Sequence, residues 1–202
     1  MSSLNKNNNM NKTDYYIPLY KDNVYHIYNR GNGKEKIFYK NENYLYFLNH
    51  YEKYVSEFAD TFAFCLLPNH FHILIKVKCN DPETIAEAFR KFFISYSMSV
   101  NKQENRKGSL FQRGFKRKLI EDSRYFYSAI YYIHSNPVHH KIVKDLTNYK
   151  FSSFHLLSVE KETRLCRDEV INWFGGKEIF INYHREFKRK TIDDNFMIED
   201  DL

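Results

Sequence analysis

Cysteine is sparse in this chain. There are three, Cys65, Cys79 and Cys166, and no two stand in a Cys-x-x-Cys pair. That excludes a zinc knuckle and a thioredoxin-like redox motif. So small and odd a count suits a reducing cytoplasm better than a disulfide framework. Long apolar runs are also missing. None approaches the length of a membrane span, and the opening residues Met1-Ser2-Ser3-Leu4-Asn5-Lys6 lack the apolar core of a signal peptide. The expectation is a cytoplasmic protein without a membrane partner.

Tryptophan occurs once, against 17 tyrosines and 18 phenylalanines. Most of these rings are expected in the core, although aromatic side chains also stack on unpaired bases. At 202 residues the chain suffices for one domain with a hydrophobic core. The formal net charge is +6, which favours polyanionic partners. The charge is concentrated: residues 101–150 carry eleven Lys or Arg and four Asp or Glu. The last ten residues are instead acidic, with Asp193, Asp194, Glu199, Asp200 and Asp201.

The pattern along the chain predicts a disordered polar arm over 1–14, rich in Asn, Ser and Lys. Alternation predicts strands over 24–30, 61–67, 70–78 and 111–120. Helical spacing predicts helices over 41–58, from an Asp81 cap with Pro82 to about 101, and from 122 to 135. Asn136-Pro137 is expected to stop the last of these. Two short helices over 167–174 and 178–190 follow, split by Gly175-Gly176. The order βαββαβ predicts an α+β, ferredoxin-like antiparallel sheet with helices on one face, followed by a helical C-terminal extension. The domain is expected over 15–158 and the extension, with its acidic tail, over 159–202.

Three stretches could carry chemistry. In Pro68-Asn69-His70-Phe71-His72, the two histidines are two residues apart on a strand and so point to one face. Phe71, Ile73, Ile75 and Val77 make the opposite face apolar. Neutral imidazole is a common metal ligand. In Tyr131-Tyr132-Ile133-His134-Ser135-Asn136-Pro137, a step of four puts Tyr132 and Asn136 on one helical face, whereas Tyr131 pairs with Ser135. An Asn oxygen can complete a site built on two histidines, and a nearby Tyr can attack a polarised phosphate. Among so many tyrosines, spacing alone does not select one. In Arg113-Gly114-Phe115-Lys116-Arg117-Lys118, four cations in six residues suit either a phosphodiester backbone or a charged edge strand.

Five pieces in order, over about two thirds of the chain, carry a family resemblance. They are Tyr25-His26-Ile27-Tyr28-Asn29-Arg30-Gly31, Leu66-Leu67-Pro68-Asn69-His70-Phe71-His72-Ile73-Leu74, Leu110-Phe111-Gln112-Arg113-Gly114-Phe115, Tyr132-Ile133-His134-Ser135-Asn136-Pro137-Val138 and Tyr149-Lys150-Phe151-Ser152-Ser153-Phe154. The chain resembles the IS200/IS605-like single-tyrosine (HUH) transposases, and most of all the branch associated with repetitive extragenic palindromes. That resemblance implies a ferredoxin-like nuclease fold carrying an added catalytic-tyrosine helix. It implies a divalent metal, Mg²⁺ or Mn²⁺, on His70 and His72, with Asn136 as third ligand where insertion-sequence relatives use Gln. It implies Tyr132 as nucleophile and single-stranded, hairpin-bearing DNA as partner, and it allows a homodimer. Arg30, Arg113, Lys116, Arg117 and Lys118 are the residues expected to contact DNA. Two rival readings share these residues. One is a DNA-binding protein that no longer cuts, and the other is a zinc hydrolase using His70, His72 and a third ligand such as His26.

Overall fold

In the computed structural model, residues 17–186 are described. The expected arm over 1–14 and the acidic tail lie outside them. Four strands, β1 (Val24–Arg30), β2 (Ala59–Leu67), β3 (His70–Val77) and β4 (Lys116–Ile120), form one antiparallel sheet in the order β2-β3-β1-β4. This is the ferredoxin-like arrangement expected from the element order. Helices α1 (Asn41–Val55) and α2 (Pro82–Gln103) make the two crossovers. Asp81 caps α2 as its position ahead of Pro82 predicts, its carboxylate accepting from the amides of Glu83 and Thr84.

Period-two alternation sorts the strands into two faces. Tyr25, Ile27, Phe64, Leu66, Phe71, Ile73, Ile75 and Val77 share a core with Phe47 and Tyr51 of α1 and Phe89, Phe92 and Tyr96 of α2. The other face carries His70, His72 and Leu74 on β3, and it too is covered. Helix α3 (Ser123–His139) crosses it, and α4 (Phe154–Ser158), α5 (Arg167–Trp173) and α6 (Lys177–Glu186) close over α3. Ala63, Cys65, Leu67 and Leu74 pack there with Ala129, Ile130 and Ile133 in a second core. A β-bulge between Thr61 and Ala63 lets the consecutive residues Phe62 and Ala63 both join it. Phe62 meets Trp173 edge-on at 4.6 Å. The histidine face is therefore not a solvated surface: the two crossover helices lie on one face, as expected, and the added helix α3 with the C-terminal helices covers the other. The C-terminal extension supplies what strand alternation cannot report, the lid over the second face.

Two boundaries differ from expectation for identifiable reasons. The strand expected over 111–120 forms over Lys116–Ile120. Phe111 makes an isolated bridge to Gly31, and Gly114 at φ 74° carries the intervening loop out of the sheet. Helix α3 is not stopped by Asn136-Pro137 but runs to His139. Its end is a Schellman turn with Lys141 in the left-handed region at φ 57°. There Ile142 N–H bonds Pro137 O at 2.8 Å and Lys141 N–H bonds Val138 O at 3.0 Å. Pro137 sits in the last turn, where few turns remain for it to disrupt.

Gly31, which closes the first motif, has a steric reason to be glycine. Its φ of −62° is ordinary, but an added Cβ would lie 1.9 Å from Glu35 O and 2.9 Å from Glu35 C. Backbone cannot yield as a flexible side chain does. Gly31→Ala is expected to cost about 2–3 kcal/mol in a urea titration. Gly33→Ala, at φ 60° in open space, should cost about 1 kcal/mol.

Buried imidazoles give the fold an acid limit. Burial holds His184 at about 4, against an ordinary 6.5, and holds His134 well down as well. A ring held below its unfolded value stabilises the fold fully above pH 6.5. That share fades as pH falls towards 4, because the unfolded chain takes up the proton first. For His184 it is about 3 kcal/mol. Unfolding free energy should decline between pH 7 and pH 4.5, with a shallower decline in His184→Gln.

Candidate active site

The site is built across the middle of the sheet. Antiparallel register lines up Leu67, His70 and Arg30 in one row and Cys65, His72, Tyr28 and Lys116 in the next. A third row brings Leu74, His26 and Lys118 together. Partnered residues point to the same face, so three strands deliver His70, His72, His26, Tyr28 and Lys116 beneath α3.

Each histidine is oriented by a neighbour. The Asn69 side-chain oxygen can only accept, so the 2.7 Å contact makes His70 Nδ1 the donor and leaves the lone pair on Nε2. That Nε2 is buried and has no hydrogen-bond partner. His72 Nδ1 lies 2.9 Å from His26 Nε2, so Nε2 is the nitrogen with which His72 would ligate. Burial first, then the Lys118 charge, lowers His26 to about 3. Burial first, then His140 and Arg30, lowers His70 to about 3, and burial first, then the neighbouring rings, holds His72 well below its usual value. At neutral pH these rings are uncharged, the form a metal requires.

Helix α3 brings the remaining groups. Asn136 Nδ2 donates to Tyr132 O at 2.8 Å, a bond to its own helix that fixes the amide. Its Oδ1 is buried without a hydrogen-bond partner and lies near enough to His70 to favour that ring's protonated form. Two orphaned lone pairs, His70 Nε2 and Asn136 Oδ1, therefore sit side by side in a protein interior that rarely tolerates either. The Tyr132 ring stands edge-on to His72 at 5.7 Å and to His26 at 6.0 Å. Tyr131 points the other way, against Tyr183 at 6.0 Å and His184 at 5.7 Å.

The structure thus brings His70, His72, Asn136 and Tyr132 together. Among the described residues no group of three His, Cys, Asp or Glu is arranged to hold a metal. A set of two imidazoles and an amide oxygen falls outside that count, and its orphaned donors fit a divalent ion. His26 is engaged with His72 through Nε2 and stands behind it, which does not suit a third ligand on the same ion. Beside His70 opens a pocket of about 80 Å³ lined by Tyr28, Asn29, Arg30, Asn69, Gln112, Lys116 and His140. Arg30 Nε is buried there without a hydrogen-bond partner.

The basic stretch divides by strand alternation. Arg113 is exposed in the loop, and Lys116 and Lys118 share the histidine face. Lys116 Nζ lies 5.6 Å from the Tyr28 ring centre. Arg117, expected to contact DNA, faces the opposite core. Its guanidinium covers the Phe115 ring at 4.2 Å and donates to Ile17 O at 3.0 Å. Sequence reasoning missed the roles of Asn69 and His140. His140 stands edge-on to His70 at 4.6 Å, and the signal was one further step of four from Asn136.

No family model matches the chain. A Haemophilus influenzae protein named as a REP-associated tyrosine transposase is 32% identical over 104 residues, which are 48% of this chain and 59% of that relative. A solved structure of a REP-associated tyrosine transposase bound to a REP hairpin matches with a TM-score of 0.58 at 18% identity. The match covers 71% of this chain and 83% of the other. The chain has the fold of a REP-associated tyrosine transposase. The resemblance read from the five motifs is borne out by both similarities. Among the described residues no helix is long and apolar enough to cross a membrane.

The division of the basic stretch has a direct check. Arg117→Ala removes a packed guanidinium and a hydrogen bond and should lower unfolding free energy by about 1–2 kcal/mol. Arg113→Ala, in the exposed loop, should stay within about 0.5 kcal/mol of the parent in the same denaturant titration.

Proposed function

We propose that the chain is a transposase-type enzyme that cuts and rejoins single-stranded, hairpin-bearing DNA through a covalent link to Tyr132. The observation that carries this reading is the pairing of two buried lone pairs without hydrogen bonds, His70 Nε2 and Asn136 Oδ1, with a tyrosine ring packed against the neighbouring His72 and His26. The names of the two similar proteins, one of them bound to a REP hairpin, support the substrate class.

The residues divide the work. His70, His72 and Asn136 would hold a divalent ion, Mg²⁺ or Mn²⁺, which when bound polarises a non-bridging phosphate oxygen. Asn69 and His26 keep the two rings turned so that Nε2 faces that position. Tyr132 Oη attacks phosphorus, the bond from phosphorus to the 3′ oxygen breaks, and a 5′-phosphotyrosine and a 3′-hydroxyl result. The phosphotyrosine keeps the energy of the original diester, so a second 3′-hydroxyl can reverse the step and join a new strand. Arg30, Lys116 and Lys118, on the face or pocket beside the site, supply positive charge to the backbone.

The test is covalent capture. With Mn²⁺ and a single-stranded hairpin substrate, the parent protein should yield a protein–DNA adduct on a denaturing gel. Tyr132→Phe should bind the hairpin and form no adduct, while Tyr131→Phe, altered on the side that faces α6, should still form it. His70→Ala or a chelator should stop cleavage and leave hairpin binding. A nucleotide mapped to Tyr125, Tyr127 or Tyr131 would sink the assignment. Cleavage without any adduct would point to hydrolysis by an activated water.

A further inference from the structure

Helix α3 is held from behind by a chain of buried hydrogen bonds. His184 of α6 contacts Phe180 O through Nδ1 at 2.8 Å, and its Nε2 lies 2.8 Å from His134 Nδ1 on α3. His134 Nε2 lies 2.7 Å from Ser153 Oγ, which in turn accepts from Phe64 N–H of β2 at 2.8 Å. His134 and Ser153 are 0% exposed and His184 is 3% exposed. With both rings neutral, the two ends set every proton in the chain. A carbonyl can only accept, so His184 Nδ1 carries hydrogen and Nε2 accepts. His134 Nδ1 therefore donates to His184, and its Nε2 accepts from the Ser153 hydroxyl. An amide N–H can only donate, so Ser153 Oγ accepts at the far end. Nothing in the chain is left unsatisfied, and no arrangement of neutral rings runs it the other way.

The location of this chain matters more than its strength. His134 lies between Tyr132 and Asn136 in sequence and on the side of α3 turned away from them. A helix turn is rigid, so the position of His134 fixes where the Tyr132 hydroxyl and the Asn136 oxygen fall relative to β3. Ser153 ties that turn to β2, the strand paired with β3, and His184 ties it to the last described helix.

We infer that His184 is a positioning residue for the site, and that the C-terminal helices act through the His184–His134–Ser153 chain to set Tyr132 and Asn136 against the histidines of β3. This rests on the reading of Tyr132 as nucleophile. It gives the C-terminal extension a part in the reaction although none of the site's own side chains comes from it.

Two substitutions of similar length separate hydrogen bonding from packing. In His184→Gln the amide oxygen can accept from His134 and the amide N–H can donate to Phe180 O. In His184→Met neither is possible, while apolar packing against Phe154, Phe174 and Phe180 is kept. Adduct formation at saturating hairpin and Mn²⁺ should fall roughly 10- to 100-fold in His184→Met with hairpin affinity unchanged, and should stay within a few-fold of the parent in His184→Gln. Hydrogen exchange at the amides of residues 136 and 138–140 should speed up in the Met variant alone. If packing is all that matters, Met equals or exceeds Gln in both measurements, and the inference is overturned. Should His184→Met fail to fold, the pair Ser153→Ala and Ser153→Thr cuts or keeps the chain at its other end and is judged by the same two readouts. A parent protein that forms no adduct overturns the reading of Tyr132. The clamp then stands or falls on exchange alone, and unchanged exchange in the variant that cuts the chain refutes it.

Discussion

Packing of α3 on the histidine face of the sheet sets the conditions for everything else in the molecule. Without it, His70 and His72 would be wet, mobile and close to their ordinary protonation behaviour. With it, desolvation removes the charged form of each ring, and each buried polar atom needs a defined partner. Asn69 and His26 meet that need on one side of the rings. On the other side the need is left open at His70 Nε2 and Asn136 Oδ1. These two stand side by side among the few buried polar atoms of the described residues that are left without a hydrogen bond.

How much of this could be read from sequence depends on the range of the interaction. Alternation and helical spacing are local, and they located the strands, the Asp81 cap and the step from Tyr132 to Asn136. They also put His70 and His72 on one face, because a strand has period two whatever covers it. The cover itself is non-local. The burial of that face depends on α3 and on helices more than 100 residues downstream of the histidines, through contacts such as Phe62 with Trp173. For the same reason the sequence suggested Arg117 as a DNA contact. A basic run does not say which of its alternating members faces a core, whereas pairing with Ile27 does.

The end of α3 shows a different kind of limit. Pro137 is a strong local stop, yet the helix passes it and is finished by Lys141 in a left-handed turn. The loss of one amide hydrogen near the end of the helix is outweighed by the tertiary contacts on both sides of α3. This turn matters because it extends the helix far enough to bring His140 against His70.

That extension also determines which end of α3 faces the site. The peptide dipoles of a helix sum to a partial negative charge at its C-terminus, felt within about one turn. In α3 that turn contains Asn136 and leads to His140, beside the His70 ring. The neighbouring pocket is lined by amides, rings and cations and contains no carboxylate. Metal sites built on aspartate or glutamate attract their ion with full negative charges, which would also repel an incoming phosphodiester. Here the lining beside His70 is neutral or cationic, so nothing in this part of the cleft opposes a polyanion.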